Sequence, residues 1–304
     1  MSPGRRSMLL MMAFVVVWTV VELIAAGVLA RFSPYQVVWT RYVVHLLVMV
    51  LIFGWHKPQR LWRTGRPTYQ FARSMMMVGM PASWIVATQA GVDSATIMTI
   101  FWISPLLILA LARVLLGEVA HPLIWILSLV GWGSAYLVFG GGRLAYAPAL
   151  LLLPLGMALS FSLYVVMTRS LRSETTVANL FYSALGVALV LTPFMPGVWI
   201  IPTAQDLLIM VAVGVLGLLT LLALDRMAAA APVSRAAPLV YLQIPIAVAC
   251  HAGLSHQFPG RRIGLGVSLI LVCALFVWLR ESRLTVQDKR SAVPPSPRER
   301  LSGV

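Results

Sequence analysis

Residues 15–29 read VVVWTVVELIAAGVL, an apolar run that is interrupted by one acidic residue, Glu22. A helix needs about 20 consecutive, mostly apolar residues to cross the hydrocarbon core of a bilayer, and the residues before this run are also apolar. An ionised carboxylate at the bilayer centre costs at least about 2.5 kcal/mol. The segment therefore predicts a membrane-spanning helix in which Glu22 faces protein or water and not lipid.

The same apolar composition extends along nearly the whole chain. Of its 304 residues, 60% are hydrophobic and 11% are charged, whereas a soluble domain carries about 25% charged residues. Short loops separate the apolar segments. The pattern predicts an all-α integral membrane protein with ten transmembrane helices, over residues 8–30, 37–55, 74–90, 95–114, 120–140, 148–168, 176–197, 206–224, 236–254 and 263–280.

The net charge of +14 does not indicate a nucleic-acid partner, because the basic residues lie between the apolar segments and form no continuous face. Most of them fall on one side of the predicted bundle. The positive-inside rule then predicts that both termini are cytoplasmic. We expect a multi-pass protein of the cell membrane, most consistent with a bacterial inner membrane, whose partner is the lipid bilayer and which needs no cofactor.

Two further local features belong to this picture. Cys250 and Cys273 both fall in predicted helices and are expected to be small core residues, not a disulfide. Residues 281–304 are polar and contain prolines without an apolar period, so they predict a disordered cytoplasmic tail.

An internal repeat appears when the chain is shifted by 140 residues. Pro105 then falls on Pro245, and Phe101 falls on Tyr241. Five helices per half is an odd number, so the two halves, 1–142 and 143–280, would have inverted topologies. Proline breaks a helix, and the freed carbonyl must face protein or a cavity. Matched breaks at Pro105 and Pro245 therefore predict a central substrate site, although either proline alone is also consistent with a packing kink.

Two segments resemble a known family. Residues 87–118 read ATQAGVDSATIMTIFWISPLLILALARVLLGE, with small residues before a helix, a proline within it and Leu-Gly-Glu at its end; residues 228–257, AAAAPVSRAAPLVYLQIPIAVACHAGLSHQ, echo them. They resemble the drug/metabolite transporter superfamily, specifically its EamA-type ten-helix branch. The resemblance covers residues 8–280. One departure is His256-Gln257, where the second half of the family usually repeats a glutamate.

The resemblance implies a transporter of small organic molecules, with a central cavity lined by the first four helices of each half. Glu22 is not a general feature of the EamA branch. A first-helix glutamate is, however, the proton- and substrate-binding residue of the related small multidrug resistance proteins. The analogy suggests the same role for Glu22.

Three polar residues in the first two helices are candidates for binding or coupling. Glu22 can exchange a proton or bind a cationic substrate; the alternative is a neutral acid that joins helices by hydrogen bonds. His45 can pair with Glu22 and titrate near neutrality, or be a neutral core histidine. Arg41 precedes His45 by one turn on the same face and either attracts anions or extends to the membrane interface.

Aromatic residues within the predicted helices are candidates for stacking on an organic substrate or for cation–π contacts. Gln243, beside the second break, can orient a substrate by hydrogen bonds. The alternative for each is ordinary packing. The aromatic candidates are Trp18, Trp84, Trp102, Tyr164 and Tyr241.

Glu118 and His121 have the E-x-x-H spacing of carboxylate metal sites, but a single copy at a helix start does not support a metal site. Glu118 is expected to stabilise the start of the fifth helix through its dipole.

The function that the sequence favours is secondary transport of a small organic metabolite by alternating access, coupled to protons or to exchange. Glu22 suits a cation and Arg41 suits an anion, so a zwitterion such as an amino acid satisfies both. A membrane receptor or structural protein is the alternative. A membrane enzyme is disfavoured because the sequence lacks a recognisable nucleophile–base set or metal motif. A homodimer is left open.

Overall fold

The structure is a computed structural model that describes residues 2–54, 58–140 and 146–291. All regular secondary structure in these ranges is helical, which confirms the predicted all-α class. Ten long helical segments are labelled here in chain order: α1 Pro3–Leu29, α2 Pro34–Gly54, α3 Pro67–Gln89, α4 Ser94–Leu116, α5 Pro122–Phe139, α6 Pro148–Ser170, α7 Thr176–Val198, α8 Ala204–Ala230, α9 Val233–Ser255 and α10 Arg261–Ser291.

Within the described ranges, nine of these segments are long and apolar enough to cross a membrane. The remaining one, α3, has 23 residues but is more polar. The chain is therefore a multi-pass membrane protein. The boundary between the two predicted halves, at residues 142 and 143, and the end of the predicted tail, 292–304, lie outside the described residues.

Local sequence sets the ends of the helices. Gly117 and Gly140 end α4 and α5 in the left-handed conformation, with φ of 67° and 84°, which glycine adopts without strain. The carboxylate of Asp206 and the hydroxyl of Thr203 form a reciprocal capping box at the start of α8. Proline suits the first turn of a helix, where its missing N–H is not needed, and five helices begin with it: α1, α2, α3, α5 and α6.

Predicted helix boundaries were wrong by six or more residues at three places, each at a charged residue. α3 begins at Pro67 and not at 74, so Arg73 lies inside it and is only 1% exposed. α8 continues to Ala230 and not to 224, which places Asp225 inside it and buried. α10 continues past residue 280, and Glu281 is buried beside Arg235 at 3.2 Å. In each case a polar partner compensates for a charge that hydropathy alone assigns to a loop.

The helices pack in a regular set of pairs. α1 packs along α8, and α3 packs along α6. Likewise α2 contacts α8, and α7 contacts α3. α4 packs on α6, and α9 packs on α1, while α5 pairs with α10 and α2 with α7.

Both predicted helix breaks are present, and they lie just before the two prolines. α4 is interrupted at residues 102–103, between Ser94–Phe101 and Ser104–Leu116. α9 contains a 3₁₀ turn, Ala237–Leu242, before its last stretch, Gln243–Ser255. Pro105 and Pro245 lie in the first turn of the stretch that follows each break.

The two breaks contact each other through one side chain. The hydroxyl of Tyr241 lies 3.0 Å from the carbonyl oxygen of Trp102 and 3.0 Å from that of Ser128. Gly131 makes room for the Tyr241 ring, since a Cβ at this position would lie 2.5 Å from ring carbons. Because Tyr241 is buried, its hydroxyl satisfies backbone oxygen that lipid cannot satisfy.

Candidate functional site

A central cavity of about 750 Å³ lies between the helices. It extends from Trp18 and Glu22, near the middle of α1, to Pro259 and Gly260 in the loop before α10. The end of the bundle that carries Arg6, at the start of α1, is the Arg6 face. The cavity opens on the opposite face. The volume lies in the range of cavities that enclose small organic ligands, about 300–1,000 Å³.

The Glu22 carboxylate lies in this cavity and is accessible to solvent. It accepts hydrogen bonds from the indole N–H of Trp18, one turn earlier on α1, and from the side-chain amide of Gln243 on α9 at 2.8 Å. These two donors hold the carboxylate in place, and both of their residues also line the cavity. The group is therefore positioned to accept a further donor or to bind a cation.

A positive charge also lies close to Trp18. The Arg41 guanidinium carbon is 5.6 Å from the centre of the Trp18 ring and 5.5 Å from that of Tyr42. Among the described residues, its Nε and Nη2 groups have no hydrogen-bond partner although both are buried. Gly217 leaves space for this arrangement, because a Cβ there would collide with the guanidinium. Unpaired donors on a buried cation are a site for a carboxylate or another anion.

Aromatic residues form one wall of the cavity. Trp84, Phe101 and Trp102 line it, and the last two rings pack edge to face with centres 5.4 Å apart. The indole N–H groups of Trp84 and Trp102 are buried and have no hydrogen-bond partner in the described ranges. The wall can stack on a planar ring and can attract a cation.

Five of the predicted site residues do not line the cavity, and four of them are tyrosines or prolines. Tyr164 is buried against Ser183, and Tyr241 joins the helix breaks. Pro105 and Pro245 are also outside the lining, but Trp102 and Gln243, just before them, are part of it.

His45 is the fifth residue outside the lining. It is fully buried, with its ring centre 4.8 Å from that of Tyr42, and its Nε2 lies against Gly217. In the part of the chain that the structure describes, neither a hydrogen bond nor an ion pair joins His45 to Glu22. Its position matches the predicted alternative of a core histidine.

A buried polar cluster that the sequence analysis missed lies between the cavity and the Arg6 face. Arg73 on α3 donates to Thr168 Oγ1 at 3.0 Å, to Ser183 Oγ at 3.0 Å and to the Asn179 carbonyl. Its guanidinium carbon is 5.1 Å from the centre of the Tyr164 ring. The only available signal was the position of Arg73 at the edge of an apolar segment. Hydropathy alone assigned this residue to a loop.

Glu118 ties three helices together on the Arg6 face. It accepts from Arg169 at the end of α6 at 3.2 Å and from the Ser234 N–H at the start of α9 at 3.1 Å. Arg169 also donates to the Ala228 carbonyl at 2.7 Å. Glu118 thus bonds to the start of α9, whereas the start of α5 is capped by His121.

Comparisons with known proteins agree with this architecture. Residues 5–140 match the EamA-like transporter family. Proteins named S-adenosylmethionine uptake transporter from Rickettsia prowazekii and Rickettsia bellii are each 24% identical over 255 residues, or 83% of this chain and 85% and 86% of their own lengths. A protein of known crystal structure shares the fold, with a TM-score of 0.78 at 18% identity over 91% of this chain and 98% of that protein.

The apolar helices and the deep open cavity define the class of the protein as a multi-pass membrane protein, and the names of its relatives indicate a transporter and not an enzyme. The EamA-like match in the first half and the relatives together support the drug/metabolite transporter superfamily.

Proposed function

We propose that the protein is a secondary transporter that moves a small zwitterionic or cationic metabolite across the membrane by alternating access. The observation that carries this proposal is the placement of Glu22 and Arg41, two opposite charges that both contact Trp18 in one cavity. Both residues line this cavity, the guanidinium has N–H groups without a partner among the described residues, and Glu22 is exposed. A ligand with one charge of each sign satisfies both.

S-adenosylmethionine is the substrate that we favour. It carries an amino-acid group, a permanently positive sulfonium and a purine ring. The carboxylate suits Arg41, the positive groups suit Glu22, and the aromatic wall of Trp84, Phe101 and Trp102 suits both the ring and the sulfonium. The relatives that are named uptake transporters of this compound point in the same direction.

We further propose that the chain forms two inverted repeats of five transmembrane helices, over 1–142 and 143–280. The packing pairs support this. When each helix is replaced by the equivalent helix of the other half, five places along the chain, every pair becomes another observed pair or remains the same pair. α1–α8 becomes α6–α3, α2–α8 becomes α7–α3, and α4–α6 becomes α9–α1. In this arrangement α3 is the tenth spanning helix, and its polar residues face protein.

The orientation proposed from the basic residues places the Arg6 face in the cytoplasm. The central cavity then opens to the outside, as in a transporter that awaits an external substrate. Glu22 is the group that we propose for proton coupling, since it is the acid that shares the cavity with the substrate.

A binding series on the purified protein tests the proposal. Calorimetry would compare S-adenosylmethionine with its decarboxylated analogue and with S-adenosylhomocysteine, a thioether that lacks the sulfonium charge. We expect the parent compound to bind best and each analogue to bind about tenfold or more weakly, because each loses one charged contact. Equal affinity for all three, or no binding of any, would reject this substrate.

A further inference from the structure

A second, smaller cavity of about 200 Å³ opens on the Arg6 face. Its lining is polar and includes Arg6, Arg172, Arg226 and the buried acid Asp225. Arg6 precedes Trp18 by 12 residues on α1, which is about 18 Å along the helix axis. The two cavities therefore approach the middle of the bundle from opposite faces.

The buried polar cluster lies between them. Met77 lines the floor of the central cavity, and Arg73 lies one turn closer to the Arg6 face on the same side of α3. Gln70, a further turn along, donates to Asn179 Oδ1 at 2.6 Å. Asn179 Nδ2 in turn donates to Asp225 Oδ1 at 2.8 Å, and both Asn179 and Asp225 line the small cavity. Buried polar groups thus connect one cavity to the other.

The cluster holds two opposite charges that are paired only indirectly. Among the described residues, no carboxylate lies within ion-pair distance of Arg73, which is 1% exposed. Its counter-charge, Asp225, is reached through the backbone carbonyl and side-chain amide of Asn179. Loss of the Asp225 charge therefore leaves Arg73 buried without this counter-charge, and access of water to Arg73 would relieve the cost.

The positions related by the shift of 140 residues are apolar. Gln70 corresponds to Met210, Arg73 to Val213 and Thr168 to Val28. Val28 and Met210 belong to one small hydrophobic cluster, and Val213 belongs to another next to it. Charged and polar groups thus join the helices around Arg73, toward the Arg6 face. At the equivalent positions toward the opposite face, apolar contacts join them.

We propose that the small cavity is the cytoplasmic end of the transport route and that the Arg73–Asn179–Asp225 cluster is the gate that closes it. The proposal rests on the proposed transport function. Separation of α3 from α7 and α8 would break this cluster, hydrate both charges and join the two cavities. Residues of the cluster act by holding the closed conformation and do not contact the substrate.

Cysteine accessibility from the cytoplasmic side tests the gate. Met77→Cys is introduced into a chain in which Cys250 and Cys273 are replaced, and inside-out vesicles are treated with a membrane-impermeant maleimide. We expect slow labelling in this parent and labelling about tenfold or more faster with Asp225→Asn, because the closed conformation then holds an uncompensated Arg73. Asp206→Asn is the matched control, since this acid is also buried on α8 but lies toward the opposite face and lines neither cavity, and it should leave the rate unchanged.

A charge-neutral pair, Arg73→Met with Asp225→Asn, should return labelling toward the parent rate. If Asp225→Asn does not fold, Asn179→Ala breaks the same connection and should also accelerate labelling. A folded variant of either kind that stays as unreactive as the parent overturns the gate. The assay uses no substrate, so its outcome is independent of whether S-adenosylmethionine is bound or transported.

Discussion

Glu22 can occupy the middle of an apolar helix because its carboxylate faces a cavity and accepts hydrogen bonds from two donors. Trp18 and Gln243 donate to its oxygens, and the Arg41 guanidinium contacts the Trp18 ring. Charge-assisted hydrogen bonds of this kind offset part of the cost of removing the carboxylate from bulk water. The same contacts orient it toward the space where a substrate would bind.

Glu22→Gln tests this role while it preserves the shape of the side chain. We expect S-adenosylmethionine to bind about tenfold or more weakly, since hydrogen bonds to charged groups contribute about 1.5–3 kcal/mol. Substrate-driven proton flux, followed with a pH-sensitive dye inside proteoliposomes, should disappear. Asp206→Asn, which changes an acid that lines neither cavity, should change neither quantity. Flux that persists in Glu22→Gln would show that the coupling group is elsewhere.

Arg41→Met should separate recognition of the carboxylate from recognition of the cation. The variant removes the unpaired N–H groups and keeps an apolar stem, so affinity for S-adenosylmethionine should fall about tenfold or more. Affinity for the decarboxylated analogue should change by less than about threefold, because this ligand has no group for Arg41. Equal losses for both ligands in a calorimetric titration would contradict the assignment.

At the residue scale the sequence was informative where a charge fell inside a predicted helix. Glu22 and Arg41 satisfy that condition, and both line the cavity. Arg73 and Asp225 lie near segment ends, where a loop residue and a buried residue have the same local pattern. Only the partners on other helices distinguish the two cases, and partners such as Asn179 are not recognisable from local sequence.

At the scale of helices, the interruptions in α4 and α9 form one packed unit. The hydroxyl of Tyr241 in the 3₁₀ turn of α9 bonds to backbone oxygens of α4 and α5. The prolines predicted that breaks would occur, but their location before each proline, and the contact between them, depend on tertiary packing. Trp102, whose carbonyl is held in this way, lines the cavity, so the unit also supports the aromatic wall.

Tyr241→Phe should lower stability without removing a cavity-lining group. It leaves the carbonyls of Trp102 and Ser128 without this buried donor, which costs about 1–3 kcal/mol. For a chain of this size that corresponds to a fall in Tm of about 2–10 °C. The matched control is Tyr136→Phe, because Tyr136 is 47% exposed. A thermal melt in detergent that shows equal Tm values for the two variants would argue against the unit.

At the scale of the whole molecule, the protein has a large cavity that opens on one face and a small polar one on the other. Composition and segment length predicted a helical membrane protein, and the matched prolines predicted a central site. The sequence did not predict which face is open, since that depends on how the helices pack. In the proposed inverted-repeat arrangement, an exchange of the equivalent helix contacts would open the other face.

Accessibility along α1 should reveal the open face. Ala26 lines the cavity, whereas Leu23 is exposed but does not line it. In a chain without Cys250 and Cys273, Ala26→Cys should react rapidly with an impermeant reagent added outside cells, and S-adenosylmethionine should slow the reaction. Leu23→Cys should react slowly with or without it, because lipid covers that position. An unreactive Ala26→Cys would mean that the cavity is closed to the outside.

Counterflow in proteoliposomes tests the central claim most directly. Vesicles that contain the purified protein are loaded with unlabelled S-adenosylmethionine and diluted into a trace of the labelled compound. We predict a transient accumulation of label above the level in protein-free vesicles, and its loss in the Glu22→Gln, Arg41→Met double variant. Binding of the compound without any accumulation would contradict transport and would favour a receptor.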